Sequence, residues 1–212
     1  TSSIDVFGSD PGNTVLWVNL YSRSGVNEIT LLFSDSDSDL YAAKWTSSGW
    51  SAVTELTQTL ESVDYRSFDG AYEGLSGDFI VAWGSSASSG IESKTCAAGG
   101  SSYVANPLYS YTNSSAGLYV DLAGSAYSDR IAYVAYTDGQ DCEVAIWDAT
   151  YWRDGSEQDI DMGATSIHPA GSSPVAVAWL PQTDQAVVTR AEGTTNGFYW
   201  SRWKPATGWN ST

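Results

Sequence analysis

The sequence predicts an all-β protein built from four copies of one antiparallel unit. Segments that read as strand, polar turn and strand begin at Ile29, Phe79, Ile131 and Gln185, at intervals of 50, 52 and 54 residues. A period of this length is typical of folds assembled from repeated supersecondary units. Apolar residues follow a period of two and do not recur at helical spacing over a helix-length window. We therefore expect almost no helix.

The second strand of this hairpin ends in a tryptophan in three of the four copies, and another tryptophan follows shortly after it. The second copy has Cys96 at the first of these two places. Buried aromatic side chains dominate core energetics, and packing requires recurrence at a fixed place in the repeat. We therefore predict that these tryptophans fill the space between units. They are Trp45, Trp50, Trp147, Trp152, Trp203 and Trp209.

Each unit gains a strand before the hairpin and another after it. The preceding strands are predicted at residues 15–21, 64–71, 117–123 and 175–180. The following strands are predicted at residues 52–57, 104–111 and 158–163. The units then cover residues 13–57, 62–111, 115–163 and 173–212 of one domain.

The fourth unit reaches Thr212 before its last strand. Residues 3–7 precede the first unit and alternate as a strand would. We predict that this N-terminal strand completes the fourth unit and closes a ring.

The paired strands with their Trp-x4-Trp or Trp-x5-Trp spacing resemble the blades of β-propellers, in particular lectin-type and sialidase-like propellers. The resemblance extends over nearly the whole chain. It implies a four-bladed β-propeller, at the small end of the usual range of four to eight blades. The alternative is half or an excerpt of a larger propeller, including an eight-bladed ring made by two chains.

The charge balance excludes two classes of partner. The chain has 25 acidic and 9 basic residues and a formal net charge of −16. Binding to a phosphate backbone needs a basic stripe, so we expect no nucleic acid and no anionic membrane surface as partner. No apolar run approaches the ~20 residues of a membrane-spanning helix, so we expect no membrane span.

One acidic turn suggests a calcium ion. Asp35, Asp37 and Asp39 alternate with serines, as carboxylates do in some calcium loops, because hard cations prefer several oxygen ligands. Leu40 stands where such loops place glycine, and no closing glutamate follows. A solvated hairpin turn is the alternative reading, and we expect no other cofactor.

The two cysteines, Cys96 and Cys142, lie in the second strands of consecutive hairpins. They form either a disulfide or two buried thiols, because spacing alone does not establish disulfide geometry. A chain rich in aromatic residues, serine and threonine but poor in lysine suggests an extracellular or cell-surface location.

No set of catalytic residues converges in the sequence. His168 is the sole histidine, and the arginines are scattered rather than clustered as a sialidase-like site would need. We predict a noncatalytic recognition or structural module, such as an adhesin or a subunit of a cell-surface assembly, with a glycan or protein ligand. Whether it forms an oligomer stays open. The alternative is a glycan-acting hydrolase, for which the nearest carboxylates are Asp69, Glu73 and Asp78.

Overall fold

A computed structural model describes residues 13–111, 116–139, 141–153, 158–160, 173–180, 182–191 and 197–210. These residues form strands and no helix, so the all-β prediction is confirmed. None of the described segments could therefore cross a membrane as a helix.

The strands form four antiparallel sheets that follow one another along the chain. Sheet 1 contains β1 (Val15–Ser22), β2 (Ile29–Asp35), β3 (Leu40–Thr46), β4 (Gly49–Trp50) and β5 (Thr54–Thr57). Sheet 2 contains β6 (Phe68–Tyr72), β7 (Phe79–Ser85), β8 (Ser88–Cys96) and β9 (Tyr103–Ala105). Sheet 3 contains β10 (Gly117–Gly124), β11 (Arg130–Thr137), β12 (Cys142–Asp148) and β13 (Gln158–Ile160). Sheet 4 contains β14 (Val175–Trp179), β15 (Ala186–Ala191), β16 (Phe198–Lys204) and β17 (Gly208–Asn210).

Strand register shows that the four units are structurally equivalent. In each unit, the first or second residue of the central strand lies opposite the residue at the tryptophan position. The pairs are Ile29 with Trp45, Phe79 with Cys96, Ile131 with Trp147 and Ala186 with Trp203. The hairpin of the fourth unit therefore begins at Ala186 rather than at Gln185. Pairing with the neighbouring strand fixes the register, and the sequence alone left it uncertain by one residue.

The core lies between successive sheets. We call the side of a sheet that contacts the next sheet along the chain its forward face, and the opposite side its backward face. Between sheets 2 and 3, Ala71 and Ile80 on the forward face of sheet 2 pack with Val120 and Leu122 on the backward face of sheet 3. The same arrangement recurs between sheets 1 and 2 and between sheets 3 and 4. Each sheet between two others is thus covered on both sides, which explains its nearly continuous apolar strands.

Three of the six tryptophans are buried between sheets as predicted, namely Trp147, Trp152 and Trp203. Trp45 and Trp209 are half-buried, and Trp50 is exposed. Trp45 and Trp50 belong to sheet 1, and no described sheet precedes it, which accounts for their lower burial.

Ring closure depends on a part of the chain that the description does not include. The closing strand predicted at residues 3–7 lies outside the described residues. The closed four-unit ring therefore stays a prediction.

Candidate functional site

A cleft opens where the first two strands of sheets 1, 2 and 3 turn. Its volume is about 500 Å³, which is within the range of small-ligand sites. The end of β1, the turn between β6 and β7 and the end of β10 form its walls. The polar and aromatic side chains of the lining are Tyr21, Ser22, Arg23, Ser24, Tyr72, Glu73 and Ser125.

The turn of sheet 2 brings two walls of the cleft together. The Glu73 amide donates to the Asp78 carbonyl at 2.8 Å and closes the turn. Gly77 has a φ of 73°, and a Cβ there would lie 2.1 Å from the Arg23 guanidinium. Glycine therefore permits both the turn and the close approach of this arginine from sheet 1. The Arg23 guanidinium also donates to the Ser76 carbonyl at 3.3 Å.

The Glu73 carboxylate is held in a fixed position at the edge of the cleft. It accepts a hydrogen bond from the Trp147 indole at 2.6 Å and one from the Ser76 hydroxyl at 2.5 Å. Burial raises the pKa of Glu73, while these two hydrogen bonds lower it. Because Trp147 belongs to sheet 3, the contact also joins two sheets at the site.

A positively charged group lies in the wall that sheet 1 contributes. The Arg23 guanidinium lies 3.7 Å from the buried Glu28 carboxylate, which also pairs with the buried Lys44 ammonium at 3.2 Å. Lys44 in turn donates to the Cys96 sulfur at 3.4 Å. The cleft lining therefore includes a guanidinium from sheet 1, which contacts Glu28 and Ser76, and a carboxylate from sheet 2, which is held by Ser76 and Trp147.

A network of charged and polar residues joins the first strands of sheets 1, 2 and 3 near the cleft. The Tyr21 hydroxyl, which lines the cleft, donates to the Asp69 carboxylate. The Arg66 guanidinium lies 3.7 Å from Asp69 and 3.0 Å from Asp121, and it also donates to the Tyr119 hydroxyl at 3.0 Å. The network thus connects sheets 1, 2 and 3.

Asp69 and Asp121 each connect the first strand of one sheet to the first strand of the next. The Leu122 amide of sheet 3 donates to Asp69 of sheet 2 at 2.8 Å. The Val177 amide of sheet 4 donates to Asp121 of sheet 3 at 2.9 Å. The two aspartates occupy equivalent register positions, and so do the two amides. The first strand of a sheet has backbone N–H groups that point away from that sheet and need a hydrogen-bond acceptor. The aspartate carboxylate of the preceding sheet is that acceptor.

The fold raises the pKa of the Asp69 carboxyl group into the neutral range. Burial raises the pKa of Asp69 to about 7, although Arg66 and the hydrogen bonds from Tyr21 and Leu122 lower it. Its unfolded value is about 3.9. A carboxyl group with a raised folded pKa stabilises the fold fully below the unfolded value, and this contribution is lost as the pH rises through the folded value.

We expect Asp69→Asn to reduce the pH dependence of stability. Between pH 5 and pH 8, the wild-type chain should lose about 2–3 kcal/mol that the variant does not lose, because asparagine has no proton to release. Urea denaturation at the two pH values measures this difference. Asp64→Asn, at an exposed loop position, serves as the matched control. Equal pH dependence in the wild type and Asp69→Asn would contradict the assignment.

The three aspartates predicted to bind calcium lie in the β2–β3 turn. Asp35 is buried and accepts the amides of Asp37 and Asp39 at 3.0 and 3.1 Å, so its carboxylate closes the turn. Asp39 accepts the Tyr41 hydroxyl at 3.1 Å. Among the described residues, no group of three His, Cys, Asp or Glu side chains is arranged to hold a metal ion. Calcium at this turn stays a prediction.

Of the two alternatives for the cysteines, the structure shows the two buried thiols and no disulfide. Cys96 and Cys142 are both free and buried. Cys96 packs between sheets 1 and 2, whereas Cys142 packs between sheets 3 and 4. Equivalent strands in consecutive units lie in different interfaces, which is why their sequence pattern gave no information about pairing.

The three carboxylates considered for a hydrolase each accept a hydrogen bond from a different structural partner. Asp69 binds the first strand of sheet 3, and Glu73 binds Trp147. Asp78 accepts the Ala98 amide at 2.9 Å. His168, the sole histidine, lies outside the described residues.

Sequence reasoning missed Tyr21, Arg23 and Tyr72 as lining residues. A signal was available, because each lies at or just beyond the end of the first strand of its unit, where matched strand ends of a repeat meet. The pattern did not show which of these ends would enclose a cleft.

Comparison with solved structures identifies the fold as a β-propeller. The BP39L lectin of Burkholderia pseudomallei superposes with a TM-score of 0.63 at 15% identity, covering 93% of this chain and 55% of that one. AofleA of Arthrobotrys oligospora superposes with a TM-score of 0.60 at 8% identity, covering 95% and 56%. The fucose-recognising lectin of Aleuria aurantia, a six-bladed β-propeller, superposes with a TM-score of 0.54 at 14% identity, covering 92% and 59%.

These similarities concern architecture. The chain spans a little over half the length of the propellers that it matches. No protein-family model and no curated protein sequence matches it. The four sheets correspond to propeller blades, as the repeat predicted.

Proposed function

We propose that this chain is a noncatalytic, extracellular recognition module that binds a carbohydrate in the cleft formed by sheets 1, 2 and 3. The observation that carries the proposal is the placement of Arg23 and Glu73 on two walls of one cleft of about 500 Å³, with Tyr21 and Tyr72 also in its lining. An adhesin or a subunit of a cell-surface assembly is the setting that we propose for such a module.

The chemistry of the cleft suits a sugar. A sugar ring presents hydroxyls that both donate and accept hydrogen bonds, together with apolar C–H faces. A guanidinium supplies fixed donors, a carboxylate supplies strong acceptors and a tyrosine ring supplies an apolar surface with a polar end. These groups belong to two different sheets, so the inter-sheet contacts hold them in place before a ligand arrives. Such preorganisation lowers the entropic cost of binding.

Binding is favoured over hydrolysis by the state of the carboxylates. Glycoside hydrolysis needs two carboxyl groups that face the scissile bond from opposite sides, roughly 5–10 Å apart. Asp69, Glu73 and Asp78 are each engaged with a separate structural partner.

The matched propellers of known ligand guide the choice of sugar. The Aleuria aurantia lectin is described as recognising fucose. Fucosylated glycans are therefore the first ligands to test for this chain.

We expect the chain to bind a subset of glycans on an array, without turnover, and Ser22→Trp to abolish that binding. Ser22 is exposed and lines the cleft, so a tryptophan there should fill the cleft while leaving the core unchanged. Isothermal titration with the best glycan should show at least about a tenfold loss of affinity, because the variant removes the space for the ligand.

Ser86→Trp is the matched control. Ser86 is also exposed but lies in the β7–β8 turn and lines a different depression. Loss of binding in Ser86→Trp but not in Ser22→Trp would place the site elsewhere. Absence of binding to every glycan would overturn the proposal, and release of free sugar would favour the hydrolase alternative.

A further inference from the structure

The two end sheets present apolar side chains where the inner sheets bury them. The backward face of sheet 1 exposes Leu16, Val18 and Leu20 on β1. The forward face of sheet 4 exposes Phe198 and Trp200 on β16. We call these two surfaces the N-face and the C-face.

Register shows that the N-face is built as an interface. Val18 is equivalent to Val120 of sheet 3, and Leu20 is equivalent to Leu122. The reference residues are Ser22, which pairs with Ile29, and Gly124, which pairs with Ile131. Val18 and Val120 lie four positions before these residues, and Leu20 and Leu122 lie two positions before them. Val120 and Leu122 are 0% and 8% exposed and pack against sheet 2, whereas Val18 and Leu20 are 57% and 63% exposed. The same apolar positions are thus kept, but the covering sheet is absent among the described residues.

The C-face shows the complementary half of that interface. Phe198 stands five positions before Trp203, as Leu40 stands before Trp45 and Cys142 before Trp147. Leu40 and Cys142 are 0% and 1% exposed in the forward-face clusters of their sheets, whereas Phe198 is 72% exposed. An exposed apolar surface of this kind marks an interaction site.

We propose that a second copy of this chain covers both surfaces, the C-face of each copy packing on the N-face of the other, which is the two-chain alternative to a closed four-unit ring. The contact would continue the forward-to-backward interface that already joins sheets 1, 2, 3 and 4. Each copy carries both halves, so the contact is head-to-tail, and such contacts give a closed ring when the rotation closes.

We propose two copies. Two sets of the four described sheets give eight blades, the upper end of the usual range for propellers, whereas three sets would exceed it. The Asp69 and Asp121 links have no equivalent at the C-face, because Ala176 stands at that register position. The contact between copies therefore depends on apolar packing.

The first test is the mass of the chain in solution. Light scattering during size-exclusion chromatography should give about twice the monomer mass of 22.7 kDa at micromolar concentration. Leu20→Arg on the N-face and Phe198→Arg on the C-face should each weaken the dimer by about 100-fold or more, because each places an unpaired charge at the centre of the contact. Val104→Arg, on β9 and 68% exposed, is the matched control and should leave the dimer intact.

Mixing the two variants distinguishes this arrangement from others. In a ring of two identical variant chains, each of the two contacts contains one substituted face. Each variant alone should therefore elute as a monomer. An equimolar mixture of Leu20→Arg and Phe198→Arg can form one contact with both sides intact and should therefore associate. A contact that pairs one N-face with another would instead leave Phe198→Arg dimeric.

Several results would overturn the proposal. They are a monomeric wild-type chain at 100 micromolar or about that concentration, a dimer that resists both variants, and a mixture that stays monomeric. A monomer would favour coverage by other segments or by a different partner. Near-ultraviolet circular dichroism and melting of each variant show that it is folded, as expected for substitutions at exposed positions. Glycan binding at the cleft is independent of this result, because neither Leu20 nor Phe198 lines it.

Discussion

Trp147→Ala should destabilise the fold by about 3–5 kcal/mol, and by more if the cavity does not relax. Trp147 is buried between sheets 2 and 3 and packs edge-on against Trp152, with ring centroids 5.5 Å apart. Its removal creates a cavity in this interface and takes away the indole donor of the buried Glu73 carboxylate. The two losses act together because one side chain supplies both. Urea denaturation monitored by far-ultraviolet circular dichroism measures the change in the free energy of unfolding.

Two variants separate packing from hydrogen bonding. Trp147→Phe keeps most of the ring volume but not the N–H group, so it should cost less than Trp147→Ala while still weakening glycan binding through the displaced Glu73. Tyr151→Ala changes a neighbouring exposed aromatic residue and should alter stability by less than about 0.5 kcal/mol. If Trp147→Ala and Tyr151→Ala had equal free energies of unfolding, the assignment of Trp147 to the contact between sheets would be wrong.

Arg66→Met should destabilise the fold by about 3–5 kcal/mol at pH 8. The Arg66 guanidinium donates to the Val120 carbonyl at 3.1 Å and pairs with Asp121 at 3.0 Å, and it lies 3.7 Å from Asp69. Methionine keeps much of the side-chain volume but leaves two carboxylates near each other without their shared cation. The expected loss is therefore electrostatic rather than a loss of packing.

The loss in Arg66→Met should depend on pH. Arg66 lowers the pKa of Asp69, so its removal raises that pKa further. At pH 5 the Asp69 carboxyl is protonated in the folded state and needs no cation, and the destabilisation should be smaller than at pH 8. Arg66→Met combined with Asp69→Asn should recover part of the stability at pH 8. A loss that is the same at both pH values would rule out Asp69 as the group responsible.

The repeat was the part of the fold that the sequence specified well. The hairpins of all four units lie where the tryptophan spacing placed them, and Cys96 occupies the tryptophan position of the second unit in the structure as in the sequence. Strand alternation and turn residues act over a few positions, so one unit can be read without knowledge of its neighbours. The start of the fourth central strand was wrong by one residue, because register depends on the partner strand.

The candidate site could be predicted only in part. Glu73 was noticed as one of several acidic residues, but its fixed position depends on Trp147, which lies 74 residues away in the chain. No sequence pattern marked Arg23 as a site residue, because its position in the cleft depends on the turn at Gly77 in the next sheet. Contacts of this kind join side chains from different units, and no local pattern encodes them.

The sequence by itself determined the four equivalent antiparallel units, their apolar strands and the fixed place of the tryptophans, because period, alternation and turn chemistry are local properties. Only the tertiary structure decided which side chains share a cleft, which thiols stay apart and which apolar faces are left uncovered. The physical reason is that packing sheet on sheet sets distances between residues about fifty positions apart, and the free energy of those contacts depends on geometry that the order of residues does not state.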